Sequence, residues 1–327
     1  FKPTVNTMTN ELLNPGEVAL KASETCGLYV CNREEDDLFA PSYTIEINDA
    51  HGVAFLRRLL TIDVRNVHRG QVRQSFILNA LGFITDFVTV VHLPDSDEHF
   101  RVIFQSIDTL AWMHQVAKAF DVEFVDPEVQ TALCYGKKLP VIEGLSTDHC
   151  VEVADGVWAF QTEFNIVFQG KAEALDAYLA TLSAEQLDWV SAYTLSTMVK
   201  EPHAMDWMGA DVTVDALNGA KFVDFNDQAR IFIGRALTEA RIRAMGEKKT
   251  VVIKSHMDHA SEWFDEPDTV VIGNEEGEMI AKTVRFGLLG DALVTCVTVP
   301  ATCDVKSLLW IVGINEEPLA YTIEEVA

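Results

Sequence analysis

The run Leu78-Asn79-Ala80-Leu81-Gly82-Phe83-Ile84-Thr85-Asp86 decides how this chain is read. Its centre, Ala80-Leu81-Gly82, is a turn, because glycine takes up chain-reversing conformations at little steric cost. Apolar stretches flank it, Phe76–Leu78 before and Ile84–Leu93 after, which is the pattern of a hairpin with buried arms. Upstream, Tyr43–Asn48 alternates as a strand, and Asp49 then caps a helix whose apolar face is Val53, Leu56, Leu59 and Leu60. Downstream lie another strand, Phe100–Phe104, and an amphipathic helix, Thr109–Phe120. Strand, helix, hairpin, strand and helix in that order predict an α+β lobe.

A weaker echo follows. Val157–Phe168 reads as strands, Lys171–Leu182 as a helix and Glu185–Met198 as a second helix. Before the first lobe, Leu13–Tyr29 reads as a helix running into a strand, started by Asn14-Pro15-Gly16. From Thr250 the chain becomes strand-rich, with turns at Gly273-Asn274, Gly287, Gly290 and Pro300 and little helical periodicity. Two related α+β lobes over residues 1–246 and a separate β-barrel module over residues 247–327 are therefore expected.

Composition narrows the function. Hydrophobic residues make up 48% and charged residues 23%, ordinary values for a folded chain. Asp and Glu number 50 against 25 Lys and Arg, a net charge of -25. A field of that sign repels nucleic-acid phosphates and anionic lipid, so neither is an expected partner. No run approaches the length of a membrane span. Phe1–Asn10 has neither the basic nor the apolar segment of a signal peptide, and the six cysteines are scattered without a C-x-x-C pair. Reduced thiols and a cytoplasmic setting are expected, with no zinc or redox dithiol site. His256, His259 and Glu262 are ligand-type residues, but their setting reads as an exposed loop rather than a metal site.

Several blocks in order resemble the T-protein of the glycine cleavage system, the folate-binding aminomethyltransferases. Ala54–Val64, then Gly70, then Leu78–Asp86 is similar to a helix end F-L-x-x-L-L-x-N-D-V followed by L-N-x-x-G-G-x-x-D-D-L. Phe232-Ile233-Gly234-Arg235-Ala236-Leu237 resembles F-I-G-R-E-A-L, and Asp291–Pro300 is similar to the strand closing the family's C-terminal barrel. The resemblance implies a two-lobed body cupping tetrahydrofolate, a C-terminal β-barrel, and transfer of a methyl or aminomethyl group from a small-molecule donor. The wider superfamily includes tetrahydrofolate-dependent demethylases and a branch serving iron–sulfur maintenance.

By the same resemblance Asp86 is the catalytic carboxylate, a fixed anion that stabilises developing positive charge or relays a proton. The alternative is an edge-strand Asp facing solvent. Asn79 opens the same turn, either touching the ligand or, as turn Asn residues usually do, bridging backbone groups. Gln105 stands where the family has Asn near the pterin, and Glu163 falls near the Glu of Y-T-G-E. Arg235 and Arg241 belong to the chain's one basic cluster and could meet a folate glutamate tail or a substrate carboxylate.

The departures are equally specific. The second carboxylate of D-D is Phe87, the Tyr expected five residues before the Asn is Gln74, and the Arg and Glu of R-D-T-L-R-x-E-x-G are Ala192 and Met198. Ile231 replaces the cysteine that marks the iron–sulfur branch. The reading is a tetrahydrofolate-dependent one-carbon transferase or demethylase. The rival is a non-catalytic folate-binding accessory protein, either of the iron–sulfur-maintenance type or a degenerate subunit of a larger complex, with a protein partner or a second copy.

Overall fold

The computed structural model describes residues 15–32, 42–256, 270–274, 279–282, 285, 287–312 and 323–326. The hairpin expected around Ala80-Leu81-Gly82 forms between strands Val72–Leu78 and Ile84–His92, with Ile77 opposite Asp86. Asn79 locks the turn: its Oδ1 accepts from the Leu81 and Phe83 N–H groups at 2.9 and 3.1 Å, and Gly82 takes φ +76°. His99–Phe104 and Tyr43–Asn48 extend the hairpin into an antiparallel sheet of four, with Tyr43–Asn48 at one edge and Val72–Leu78 at the other.

Helices Ala50–Leu59 and Ile107–Lys118 cover one face of that sheet. Each starts where the sequence provides a cap: Asp49 accepts from Gly52 N–H at 2.7 Å, and Ser106 accepts from Thr109 N–H at 3.3 Å. Phe55, Leu56 and Met113 from the helices interleave with Val88, Val90, Phe100 and Phe104 from the strands. The other face carries Phe76 and Phe87, which meet Phe222 with ring centroids 5.8 and 5.0 Å away.

The second sheet has six strands in the order Glu185–Gln186, Gly27–Val30, Gln130–Tyr135, Ile166–Gly170, Val157–Gln161 and His149–Ala154. The lobes are thus not consecutive in the chain, because Gly27–Val30 crosses into the second sheet and pairs with Gln130–Tyr135. The expected helix Glu185–Met198 is shorter than its sequence suggests. Glu185 N–H bonds Cys26 C=O at 3.0 Å, so Glu185–Gln186 joins the sheet edge. The helix starts only at Trp189, after Asp188 caps it through Ser191 N–H. Ser191–Thr197 are buried at every position, so Trp189–Met198 is a core helix without a solvent face.

Among its described residues the C-terminal segment forms strands and one 3-10 turn, and they do not show the expected barrel. Strands Gly287–Leu289, Ala292–Pro300, Lys248–His256 and Ile323–Val326 make one antiparallel sheet, and Met279–Lys282, Val270–Asn274 and Leu308–Val312 make another. Neither closes on itself. Proline has no N–H for a ladder, and the long strand ends at Pro300. A short 3-10 turn, Val305–Ser307, then leads into the second sheet. Ile272 of the second sheet packs with Val251, Ile253, Leu293 and Val297 of the first, so the sheets join through a shared apolar layer. The module docks on the core helix, where Leu288 N–H donates to Thr194 Oγ1 at 2.9 Å. A side chain at Gly287 would bring its Cβ to 2.8 Å from Thr194 Cα, so only glycine allows that approach. No helix among the described residues is long and apolar enough to cross a membrane.

Candidate functional site

Strand His99–Phe104 ends at Gln105, and Gln105 borders two cavities of opposite character. One is a cleft of about 980 Å³ with Tyr43, Asn79, Thr85, Ser106, Trp112 and Trp207 on its walls. The other is a chamber of about 70 Å³ between the two sheets, with Phe87, Tyr135, Tyr193, Glu201 and His203 on its walls. The Gln105 amide is fixed in place: its Nε2 donates to Pro202 C=O at 3.2 Å and its Oε1 accepts from Ala204 N–H at 2.9 Å.

Asp86 lies behind this junction, fully buried, and lines neither cavity. Successive strand side chains alternate between faces. Asp86 therefore shares the helix-covered face with Val88 and Val90, while Phe87 and Thr89 face the chamber. The Asp86 carboxylate accepts three backbone N–H bonds, from Phe87 at 2.8 Å, Gln105 at 3.2 Å and Ser106 at 3.0 Å. It thereby ties the strand end to the start of helix Ile107–Lys118, where a negative charge is favoured. Burial pushes the carboxyl up to about 7, against the pull of those three N–H groups.

Asn79 lines the cleft while its Oδ1 holds the turn, so its Nδ2 is the atom left to face a ligand. Arg241 braces the same turn from outside, donating to Leu81 C=O at 2.9 Å with its guanidinium 5.1 Å from the Phe83 ring centre. Arg235 donates to Asp227 C=O at 2.7 Å and to Arg230 C=O, and lies over the Phe225 ring. Glu163 sits at the surface, paired with Lys221. The structure thus gathers Asp86, Asn79 and Gln105 at one end of the first sheet. Arg235, Arg241 and Glu163 stand off the cavity walls.

Other polar groups gave no motif in the sequence. Glu201 accepts from Tyr135 O–H at 2.6 Å and from the Asn165 amide at 3.2 Å, and burial pushes its carboxyl up to about 7. Arg285 pairs with Asp206 at 3.1 Å. Asp63 shows the opposite case: although burial raises it, hydrogen bonds from Arg57 and Arg65 hold its carboxyl down at about 2. Nearby Arg230 is buried and donates to the carbonyls of Arg57, Leu60, Thr61, Ile62 and Asp224, pinning the loop before Phe232. Ile231, at the position where the iron–sulfur branch carries cysteine, is 72% exposed. Among the described residues no group of three His, Cys, Asp or Glu side chains is disposed to hold a metal, and His259 and Glu262 lie outside those residues.

Two α+β lobes thus meet at a core helix, with a β module docked on it. The crystal structure of glycine cleavage system aminomethyltransferase T from Bartonella henselae superposes with a TM-score of 0.72, covering 96% of this chain and 88% of that one at 17% identity. At that identity the likeness is one of fold. No protein-family profile matches the sequence, and no curated protein sequence does.

Proposed function

We propose that this protein binds a tetrahydrofolate-type ligand in the 980 Å³ cleft and uses it for one-carbon transfer from a small methyl or aminomethyl donor. The observation that carries the reading is the cleft itself. Its size lies within the range of cofactor sites, and it combines the large rings of Tyr43, Trp112 and Trp207 with the polar groups of Asn79, Thr85 and Ser106. The chamber, at about 70 Å³, is too small for a bicyclic pterin. A reduced pterin, when bound, supplies the nitrogen that accepts the one-carbon unit.

The chain's own residues divide the work. Trp112, Trp207 and Tyr43 give the flat heterocycle apolar contact area, and Asn79 Nδ2 offers a donor to its polar edge. Asp86 is a positioning residue in this reading, because it holds Gln105 and Ser106 at the cleft wall and reaches no ligand itself. Arg241, braced against the turn that carries Asn79, is the candidate for the carboxylates of a glutamate tail. Arg235 and Glu163 are already committed to the Asp227 carbonyl and to Lys221.

Among the described residues the cleft walls carry no Arg or Lys, and Ala192, where the resemblance leads one to expect Arg, lines the chamber instead, so the two charge-assisted bonds of a fully furnished site are missing from the cleft. Each is worth about 1.5–3 kcal/mol, so affinity two to four decades below that of a fully furnished site is expected. Calorimetric titration with tetrahydrofolate tests the reading. Weak saturable binding, lost in Trp112→Ala and Trp207→Ala, supports it, and absence of binding removes it.

One observation favours the rival, a non-catalytic accessory role: Met208 and Ile107, both on the cleft wall, are 62% and 52% exposed, an apolar border suited to a protein partner. A stoichiometric partner recovered with the protein, without one-carbon turnover, separates the two.

A further inference from the structure

We infer that the chamber between the two sheets binds a small organic ammonium ion, held by the Glu201 carboxylate among the rings of Tyr135, Trp189 and Tyr193. The inference stands apart from the folate reading, since it concerns the other cavity and a different ligand.

Three strongly ionisable side chains meet in this part of the core, Glu201, Asp206 and Arg285. Arg285 is matched to Asp206 at 3.1 Å. Glu201 receives hydrogen bonds from Tyr135 O–H and the Asn165 amide, and both of those donors are neutral. The remaining titratable neighbours add no fixed cation. Burial raises both tyrosine hydroxyls, and it pushes the Cys296 thiol up to about 11. His203 points its Nδ1 at Met205 N–H and is therefore an acceptor there, and Lys200 is exposed. Two carboxylates thus face one guanidinium. Arg285 also lowers Glu201 electrostatically, but its ion pair is with Asp206; a shielded carboxylate whose hydrogen bonds come from neutral donors, and whose nearby guanidinium is shared with a second carboxylate, is satisfied by a proton or by a further cation.

Chamber chemistry favours an organic cation over a metal ion. A metal would need several oxygen ligands, and here one carboxylate stands among rings. Aromatic faces attract alkylated ammonium groups, whose charge is spread over weakly hydrated methyl groups. Tyr193 already takes part in such a contact, with the Arg285 guanidinium 6.0 Å from its ring centre. Apolar Phe87, Ile103 and Val167 complete walls that suit methyl groups. Size sets the upper limit. At roughly 15 Å³ for each water-sized group, about 70 Å³ accommodates an ion between methylammonium and trimethylammonium.

Thermal unfolding of the full chain at mildly alkaline pH tests this, with methylammonium chloride titrated against sodium chloride at matched ionic strength and against tert-butyl alcohol. The expected result is a saturable rise in Tm with methylammonium alone. Glu201→Gln, an isosteric and neutral change, should weaken that apparent affinity at least about tenfold. Tyr135→Phe, which frees a carboxylate lone pair and keeps the ring, should retain it. Should Glu201→Gln fail to fold, the size series on the unaltered chain decides: trimethylammonium should bind and tetrabutylammonium should not. A shift equal for sodium, for tert-butyl alcohol or for tetrabutylammonium overturns the inference, as does undiminished binding to folded Glu201→Gln.

Discussion

The cleft and the chamber share a wall at Gln105, yet one holds about 980 Å³ and the other about 70 Å³. What separates them is which face of one strand each residue of the pair Asp86-Phe87 takes. Phe87 fills the chamber side and joins Phe76, Phe164 and Phe222 in an aromatic cluster. Asp86 turns away and becomes the anchor of a helix start. The chamber-facing side of that strand thus carries ring packing, while its other side carries the carboxylate that anchors a helix start.

The largest expected effect sharpens that contrast directly. Phe87→Ala removes a ring that is 3% exposed and should cost about 3–5 kcal/mol of stability. Trp112→Ala, on the half-buried cleft wall, should cost less than about 1.5 kcal/mol. Urea denaturation with unchanged m-values measures both, and equal costs would show that the cleft wall is core as well.

Next comes pH. The native-state carboxyls of Glu201 and Asp86 titrate at about 7, above their ordinary values of 4.5 and 3.8. Below the ordinary values both folded and unfolded chains hold these protons. Between there and about 7 only the folded chain does, so their contribution to stability declines as pH rises through that window. For Glu201 the loss is on the order of 3 kcal/mol, at about 1.4 kcal/mol for each tenfold change in proton affinity. Asp63 acts in the opposite sense: held at about 2, it adds stability above about pH 4 that is lost as pH falls towards 2. From these three groups stability should peak near pH 4, and Glu201→Gln should flatten the limb between there and about pH 7. An unchanged limb in that variant would place the titration elsewhere.

Asp86→Asn sets an amide N–H against the Ser106 or Gln105 N–H and should cost about 1–3 kcal/mol. If Asp86 works only by positioning, tetrahydrofolate affinity and turnover should fall together in that variant. Loss of turnover with affinity intact would return it to the reacting atoms. The smallest effect is expected at the surface, where Glu163→Gln breaks the exposed pair with Lys221 and should change stability by less than about 0.5 kcal/mol. A larger change would mean that Glu163 has a role the exposed pair does not explain.

Much of the first lobe was legible because its signals are local. The hairpin, the Asp49 cap and the helix before Leu60 each depend on residues a few positions apart. The Glu185-Gln186 edge strand was not, since what stops the helix is a bond to Cys26, far away in sequence. The barrel expectation is not met among the described residues, and strand periodicity could not have decided it, since it shows that a segment is β but not which edges meet. The motifs pointed to Asp86, Asn79 and Gln105, which lie at one end of the first sheet, and to Glu163, Arg235 and Arg241, which do not join them. Glu201 was invisible because neither its neighbours Lys200 and Pro202 nor its spacing from Tyr135 and Asn165 forms a local pattern. Only the fold brings those three together.

The crossing of Gly27–Val30 into the second sheet also constrains the order of events during synthesis. Residues 43–104 of the first sheet are contiguous, so that unit has its partners as soon as it leaves the ribosome. Gly27–Val30 emerges earlier but pairs with Gln130–Tyr135, which at typical elongation rates follows about 5–20 s later. Until then its apolar edge has no native mate and is open to wrong ones. Translation slowed between these segments should therefore lower the yield of native protein more than the same delay placed after residue 135. Soluble yield from synonymous-codon variants measures that difference, and equal losses would mean that the early strand waits without penalty.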